Sequence, residues 1–313
     1  MKKLIIILLS LALCLTGCST DALSGYIKAF RKTKSISSGR LQLEASVDMD
    51  FQLDQLTAEQ QGTVQNLEHM DFASEVTYDF REEADRMIAK SYGNFGGMGI
   101  DSTFYLEGDK MNLYLPMLGG YLDLPEAEDQ DENEVFRDFS KLSEPVLAKF
   151  LELLTAEDIM KGKRTYITTK DGQIKTTVYT VNMSEEQLKQ LMEETIRIIE
   201  EDNIDLGKMF GIDTDQTDIP KELRKWKDRF ALSGFTSTAY VDFDGRLVKQ
   251  DLTAELTFKK EQSSMAPIGL RISGIITFSG LGEKQAMDFP EVTEDMYLED
   301  GWSLEYRNIH IVN

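Results

Sequence analysis

From Leu41 to Leu53 the chain alternates without a break. Leu41, Leu43, Ala45, Val47, Met49, Phe51 and Leu53 are apolar, and Gln42, Glu44, Ser46, Asp48, Asp50, Gln52 and Asp54 are polar. Successive side chains of a strand point to opposite faces, so this period of two predicts a strand with one buried and one wet face. At about 3.3 Å per residue it would be roughly 43 Å long, which suits a strongly curved sheet better than a compact sandwich. The signature recurs in Met70, Phe72, Ser74, Val76, Tyr78 and Phe80, and in a shorter run from Arg86 to Tyr92. Turn chemistry adds three hairpins: Phe104 to Leu115 around Glu107-Gly108-Asp109-Lys110, Arg164 to Asn182 around Lys170-Asp171-Gly172, and Ala239 to Phe258 around Asp244-Gly245. Asp-Gly between alternating runs is a strong hairpin signal, because Gly accepts the positive φ of a tight turn. Ile268 to Phe278 and Trp302 to Val312 complete about ten or eleven strands, each expected beside its neighbour in sequence.

Other segments change period. Thr20 to Lys34 carries Leu23, Tyr26, Ile27 and Phe30 at helical spacing. Ser143 to Leu154 places Val146, Leu147, Phe150, Leu151 and Leu154 on one face, with Pro145 expected in the first turn. Ser184-Glu185-Glu186-Gln187 is a capping box opening a helix to residue 202, striped by Leu188, Leu191, Met192, Thr195, Ile196 and Ile199. Lys221 to Phe230 is a third short helix after the N-terminal one. Strands met by their neighbours argue against βαβ alternation. The expected fold is α+β: a single curved antiparallel β-sheet, an open half-barrel, with helices packed on its concave face. No Pro/Gly/Ser-rich linker divides the chain, so residues 18–313 are expected to form one domain.

The first residues concern location. Met1-Lys2-Lys3 is a positive n-region and Leu4 to Leu15 an apolar run, and Leu15-Thr16-Gly17-Cys18 resembles the bacterial lipobox. In that motif the cysteine is diacylated and becomes the mature N-terminus. The apolar run is about 12 residues, short of the roughly 20 that span a bilayer as a helix. Residues 1–17 are therefore expected to be a lipoprotein signal peptide and Cys18 the lipidation site. The expected location is the extracytoplasmic face of the bacterial cell membrane. The membrane partner is reached through the lipid, since two or more acyl chains give stable anchoring at about 0.8 kcal/mol per buried methylene. Ser19 after the cysteine is found in both monoderm and diderm lipoproteins.

Composition narrows the chemistry. Cys14 leaves with the signal and Cys18 is acylated, which removes thiol nucleophiles, thiolate metal sites and disulfides from the mature chain. His69 and His310 are the two histidines, and neither sits near another ligand at a recognisable spacing; His69 is expected on a polar strand face. Without Lys2 and Lys3, 32 basic residues face 55 acidic ones, a net charge of −23. Such a surface repels phosphate polymers and anionic head groups, so nucleic acid is excluded as a partner and membrane attachment is expected from the lipid rather than from a basic patch.

Layout carries a family resemblance. Tyr26–Phe51 runs from a helix into a long strand, and Phe104–Tyr121 contains Phe-Tyr-Leu-Glu-Gly-Asp-Lys-Met-Asn-Leu-Tyr-Leu-Pro. Thr176–Leu191 runs from a strand into a capped helix, and Ala239–Phe258 is an Asp-Gly hairpin. With the lipobox, these resemble the LolA/LolB-like lipoproteins, which include mycobacterial lipid carriers and Firmicute lipoproteins. The resemblance implies an open half-barrel whose apolar face holds acyl chains without chemistry. It supplies no motif residue.

The strand pattern itself proposes the lining of a hydrophobic ligand cavity: Met49, Phe51, Phe72, Val76, Tyr78, Leu252, Leu256, Ile272 and Ile276, with helix residues Leu188, Met192 and Ile196 packed on them. The 14 methionines suit a site accepting varied apolar shapes. The same residues would also make a solid core plugged by helices. Gly93-Asn94-Phe95-Gly96-Gly97-Met98-Gly99-Ile100 reads as a glycine-rich loop, an apolar flap if a cavity exists; it lacks the ending of a phosphate loop. Asp129, Asp131 and Asn133 open like a calcium loop, but Glu134 and Ser140 occupy its sixth and twelfth positions. Asp213, Asp215 and Thr217 fail likewise at Asp218 and Arg224, so no metal is expected. Carboxylate pairs are too abundant to indicate glycosidase chemistry. The expected function is non-enzymatic and needs no cofactor: binding or shuttling a lipid or other hydrophobic ligand. The alternative is an envelope structural or protein-interaction lipoprotein with a plugged barrel. A two-lobed importer solute-binding protein is disfavoured by the strand order.

Overall fold

The alternating segments become strands and join in one sheet. The computed structural model describes residues 20–81, 85–124, 134–202, 204, 219–259 and 267–298. Its strands are β1 (Ser38–Asp50), β2 (His69–Asp79), β3 (Arg86–Phe95), β4 (Met98–Glu107), β5 (Lys110–Leu115), β6 (Gly120–Leu124), β7 (Ile159–Thr169), β8 (Gly172–Val181), β9 (Phe230–Val241), β10 (Leu247–Phe258) and β11 (Gly269–Ser279). Its helices are α1 (Thr20–Lys34), α2 (Ala58–Gln65), α3 (Glu134–Leu153), α4 (Glu185–Glu201) and α5 (Ile219–Arg229). All of these lie at or beyond Thr20, so the chain from Ser19 onward carries the whole described fold. Cys18, Asp129, Asp131, Asn133, Asp213, Asp215, Thr217 and the Trp302 to Val312 run lie outside the described residues.

The sheet is antiparallel, curved and not closed into a barrel, in the order β6-β5-β4-β3-β2-β1-β11-β10-β9-β8-β7. Sequence neighbours pair throughout except at one seam. There β1 lies between β2 and β11, while β6 and β7 form the two edges. The long connection from Leu124 to Ile159, which carries α3, lets the chain leave one edge and start again at the other.

Several expected boundaries shift for local reasons. β1 stops at Asp50, so Phe51 and Leu53 leave the sheet for a 3₁₀ turn at Leu53–Gln55. Helix α2 follows, absent from the expected elements; its Thr57/Gln60 capping box satisfies two end donors reciprocally. The 93–100 segment is no loop or flap. It forms the ends of β3 and β4 around Gly96 and Gly97, whose φ values of 62° and 79° give the two left-handed residues of a tight hairpin turn. Helix α3 begins at Glu134 rather than Ser143, so Pro145 sits inside it and omits the backbone bond to Lys141. β6 was not among the expected strands.

Opposed residues of an antiparallel pair share a face. The register aligns Val47 with Met70 and Ile272, Ala45 with Phe72 and Gly274, and Leu43 with Ser74 and Ile276. That is the apolar face. Glu44, Ser46 and Asp48 lie opposite Ala73, Asp71 and His69 on the polar one. The main core occupies only part of the apolar face: Ala22, Tyr26 and Ala29 of α1 pack with Ile159, Tyr179, Val181, Ala239, Val241 and Leu247. A second cluster joins Ile198, Ile199 and Ile204 to Leu142, Val146 and Leu223, so α4 packs chiefly on α3 and α5.

A polar latch ties the sheet end to the loop after β11. Buried Asp79 accepts from Arg81 Nε at 2.8 Å and Nη2 at 2.6 Å, and from the Gln285 backbone N–H at 3.3 Å. Gln285 accepts from Arg40 Nε at 3.1 Å and donates to the Gly280 carbonyl at 2.9 Å. The Arg81 guanidinium holds the Asp79 carboxyl down at about 2, from 3.8. A lowered folded-state pKa stabilises the fold above the unfolded value, and that contribution vanishes as pH falls through the folded value. Asp79→Asn is therefore expected to cost roughly 2 kcal/mol at neutral pH. In urea titrations the gap to the parent should close between about pH 4 and about pH 2.

Candidate functional site

The strand residues proposed to line a cavity share one face. Met49 lies opposite Leu270, Phe72 opposite Ala45, Val76 opposite Leu41, and Tyr78 opposite Gly39. Leu252 lies opposite Gly274, and Leu256 opposite Leu270. Ile272 and Ile276 complete the set on β11. Phe51 falls beyond the last paired residue of β1.

Burial divides this face in two. Under α1, Tyr179, Val181, Ala239, Val241 and Leu247 are all buried. Tyr26 is 1% exposed, with its ring 6.5 Å from that of Tyr179. Gly25 allows this approach, since a Cβ there would lie 2.7 Å from the Tyr179 hydroxyl. Over β1, β2 and β11 the picture differs: Leu41, Leu43, Val47, Met49, Met70, Phe72, Val76, Tyr78, Ile272 and Ile276 are all half-buried. Leu252, Leu256 and Phe51 are half-buried too. Large apolar side chains at the centre of a sheet are ordinarily sealed by whatever packs on them. Here that seal is partial.

The helix residues divide as well. Ile196 is 1% exposed, whereas Leu188 and Met192 are half-buried, and neither buried cluster among the described residues includes the three. The N-terminal end of α4 does reach the sheet. The Glu185 carboxylate accepts the Leu232 N–H at 3.0 Å, and Lys189 Nζ lies 5.4 Å from the Phe230 ring centre. Gln187 closes the capping box and also donates to the Leu153 carbonyl at 2.8 Å and to Asp158 at 2.7 Å, joining α4 to the end of α3.

Polar groups interrupt the apolar face at defined places. Gln250 Nε2 donates to Tyr26 Oη at 3.2 Å and Ser237 Oγ at 2.8 Å, and Ser74 Oγ lies 2.9 Å from Ser91 Oγ. Burial pushes the Tyr26 phenol up to about 12, partly offset by the Gln250 hydrogen bond. No sequence reading marked Gln250, because a lone amide in an alternating run resembles a face error until its partners are placed.

The opposite face carries its own features. A depression of about 490 Å³ over the central strands is bounded by the cross-strand row Tyr92, Ala73, Glu44, Ile275 and Asp251. Its walls carry carboxylates, unlike an acyl-chain site. His69 is exposed there as expected, with Nδ1 2.7 Å from Asp48 and Nε2 2.8 Å from Asp71. The Asp48 hydrogen bond, then that of Asp71, raises its pKa. Farther along, Phe289 stacks 6.3 Å from Tyr105 beneath Arg86, at 4.9 Å from the guanidinium carbon, and Tyr297 donates to Asn112 at 2.8 Å. The segment after β11 thus crosses the polar side of β3–β6, which no sequence pattern indicated. Among the described residues no group of three or more His, Cys, Asp or Glu could hold a metal ion. No described helix is long and apolar enough to cross a membrane.

No family model matches the chain, and no curated protein matches it. Among solved structures, MucB in complex with MucA(peri) aligns over 83% of this chain and 93% of that one, at 6% identity and a TM-score of 0.11. That likeness is too slight to assign a fold family or a function.

Proposed function

We propose that the protein is a non-enzymatic lipoprotein, anchored through Cys18 at the extracytoplasmic membrane face, that binds a lipid or other hydrophobic ligand on its apolar sheet face. One observation carries the ligand reading: the large apolar side chains of β1, β2 and β11 stay half-buried while those under α1 are sealed. Exposed apolar surface costs about 25 cal/mol per Å² relative to burial, so an acyl chain covering these strands gains that free energy on binding. The LolA/LolB-like layout agrees with such a role. A plugged barrel would instead leave this half of the sheet as dry as the other half.

Native mass spectrometry of the chain from Ser19 onward, expressed in an envelope-bearing host and released gently, tests the ligand. A co-purifying hydrophobic adduct is the expected result; repeated spectra of bare protein would sink the reading. Anchoring has a separate test. Cys18→Ser in the full-length chain should abolish incorporation of labelled palmitate and move the protein from the membrane to the soluble fraction. Labelling that survives the substitution would overturn the lipidation assignment.

A further inference from the structure

A cleft of about 490 Å³ lies between α1 and the β7–β8 edge, closed below by the β9–β10 turn. Four cations line it: Lys28 and Lys32 from α1, and Lys161 and Arg164 from β7. They converge through two local devices. Lys28 and Lys32 are one helical turn apart and so share a face. On β7, Lys161 and Arg164 are three apart and would point to opposite faces of a regular strand. The register shift between them prevents this: Lys161 pairs with Tyr179 and Arg164 with Thr177, so one extra residue turns both toward α1. Gly25, Gly162 and Gly245 also line the cleft and leave its walls low.

The two acids in the lining do not balance these charges. Asp242 accepts from Arg246 Nε at 2.8 Å, and Asp244 pairs with Arg246 Nη2 at 3.0 Å. Lys32 Nζ is spent on the Asp244 backbone carbonyl, an acceptor that carries no charge. The Lys28 and Arg164 side chains make no hydrogen bond or ion pair with a described residue, and both are exposed. Like charges one turn apart on a helix destabilise it, and Lys28 and Arg164, drawn to one cleft without a described counter-charge of their own, repel further. In a chain of net charge −21, this concentration of positive charge is the reverse of its surroundings. The Thr177 and Tyr179 side chains on the same wall bring hydroxyls, which can donate to an oxyanion.

We infer that this cleft binds a phosphate-bearing anion, held by Lys28 and Arg164 with Lys32, Lys161 and the wall hydroxyls around it. A guanidinium paired with phosphate can form two parallel hydrogen bonds, and ammonium groups supply the remaining point charges. The phosphate comes either from a lipid headgroup or from a solute. The inference rests on the cleft alone and stands whether or not Cys18 is acylated.

The chain from Ser19 onward is titrated calorimetrically with inorganic phosphate at low ionic strength, and floated with vesicles of phosphatidylglycerol or of phosphatidylcholine. One saturable phosphate site is expected, weakened by about tenfold or more in a Lys28→Gln/Arg164→Gln variant and unchanged in Lys110→Gln. Flotation with phosphatidylglycerol alone, lost in the same variant and displaced by phosphate, assigns the headgroup as the source. Phosphate binding without flotation assigns a soluble phosphate compound. The inference is overturned if the parent binds neither probe, or if the double variant binds as the parent does. Circular dichroism checks the fold of the variant, and single Lys28→Gln, exposed on α1, provides the second reading if the double variant unfolds.

Discussion

Replacing Tyr26 with alanine is expected to cost about 3–5 kcal/mol of folding stability, the range for removing a large aromatic from a core. Tyr26 is 1% exposed, 6.4 Å from the Phe30 ring and 6.5 Å from the Tyr179 ring, and it stands where α1 meets β8 and β10. Its loss opens a cavity and takes one of the two acceptors from the Gln250 amide, leaving Ser237. Tyr26→Phe separates the two contributions, since it keeps the ring and should cost only about 1 kcal/mol. The phenol adds an alkaline signature. With its pKa raised to about 12 in the fold, against 10.0 unperturbed, its contribution is complete below pH 10 and is lost as pH rises through 12. Denaturant titrations should show the parent weakening over that interval more than Tyr26→Phe. Equal weakening would remove Tyr26 as the group responsible.

Ile272→Asp is expected to abolish hydrophobic ligand binding while leaving a folded protein. Ile272 lies between Val47 and Ala254 on the apolar face, at the centre of the half that no sealed core covers. A carboxylate there retains partial hydration in the free protein, so the folding cost stays at about 1–2 kcal/mol, within the common range for single substitutions. A bound acyl chain would remove that hydration, and an unpaired charge against hydrocarbon costs several kcal/mol. Binding and folding thus respond differently to one side chain. A folded Ile272→Asp protein that still carries its adduct in native mass spectra would refute the placement of the ligand on this face.

Much of this fold is legible in the sequence because its signals are local. Alternation over residues 41–50, Asp244-Gly245 between two apolar runs, and the Ser184/Gln187 capping box each act within a few residues, and each appears in the structure. Failures arise where a local signal has two readings. Four glycines within residues 93–99 suggest a flexible loop, yet Gly96 and Gly97 form the turn while Gly93 and Gly99 lie within paired strands. Thr57 and Gln60 did announce α2, but the long alternation before them drew β1 past Asp50. The seam between β1 and β11 and the burial contrast across the apolar face depend on distant parts of the chain. So does the convergence of Lys28 with Arg164: Gly162 is a residue type that often marks a bulge, but which strand lies opposite it and which helix covers it are set by distant parts of the chain. Local patterns cannot encode such meetings, because they are set by which strands become neighbours.

The pairing of β1 with β11 governs the order in which the protein can be made. Ser46 Oγ meets Ser273 Oγ at 2.7 Å across a separation of 227 residues, and β1 needs β11 to complete its second edge. The β1–β6 and β7–β11 runs each pair strands that are consecutive in sequence, so each run can form as the chain emerges. Their union must wait for nearly the last strand, and distant pairing of this kind slows folding. The chain would assemble two separate half-sheets before they become one. Until then the open edge of β1 is a template for wrong partners, such as the β11 of another copy. Refolding kinetics should therefore be biphasic, with the slow phase accelerating aggregation as protein concentration rises.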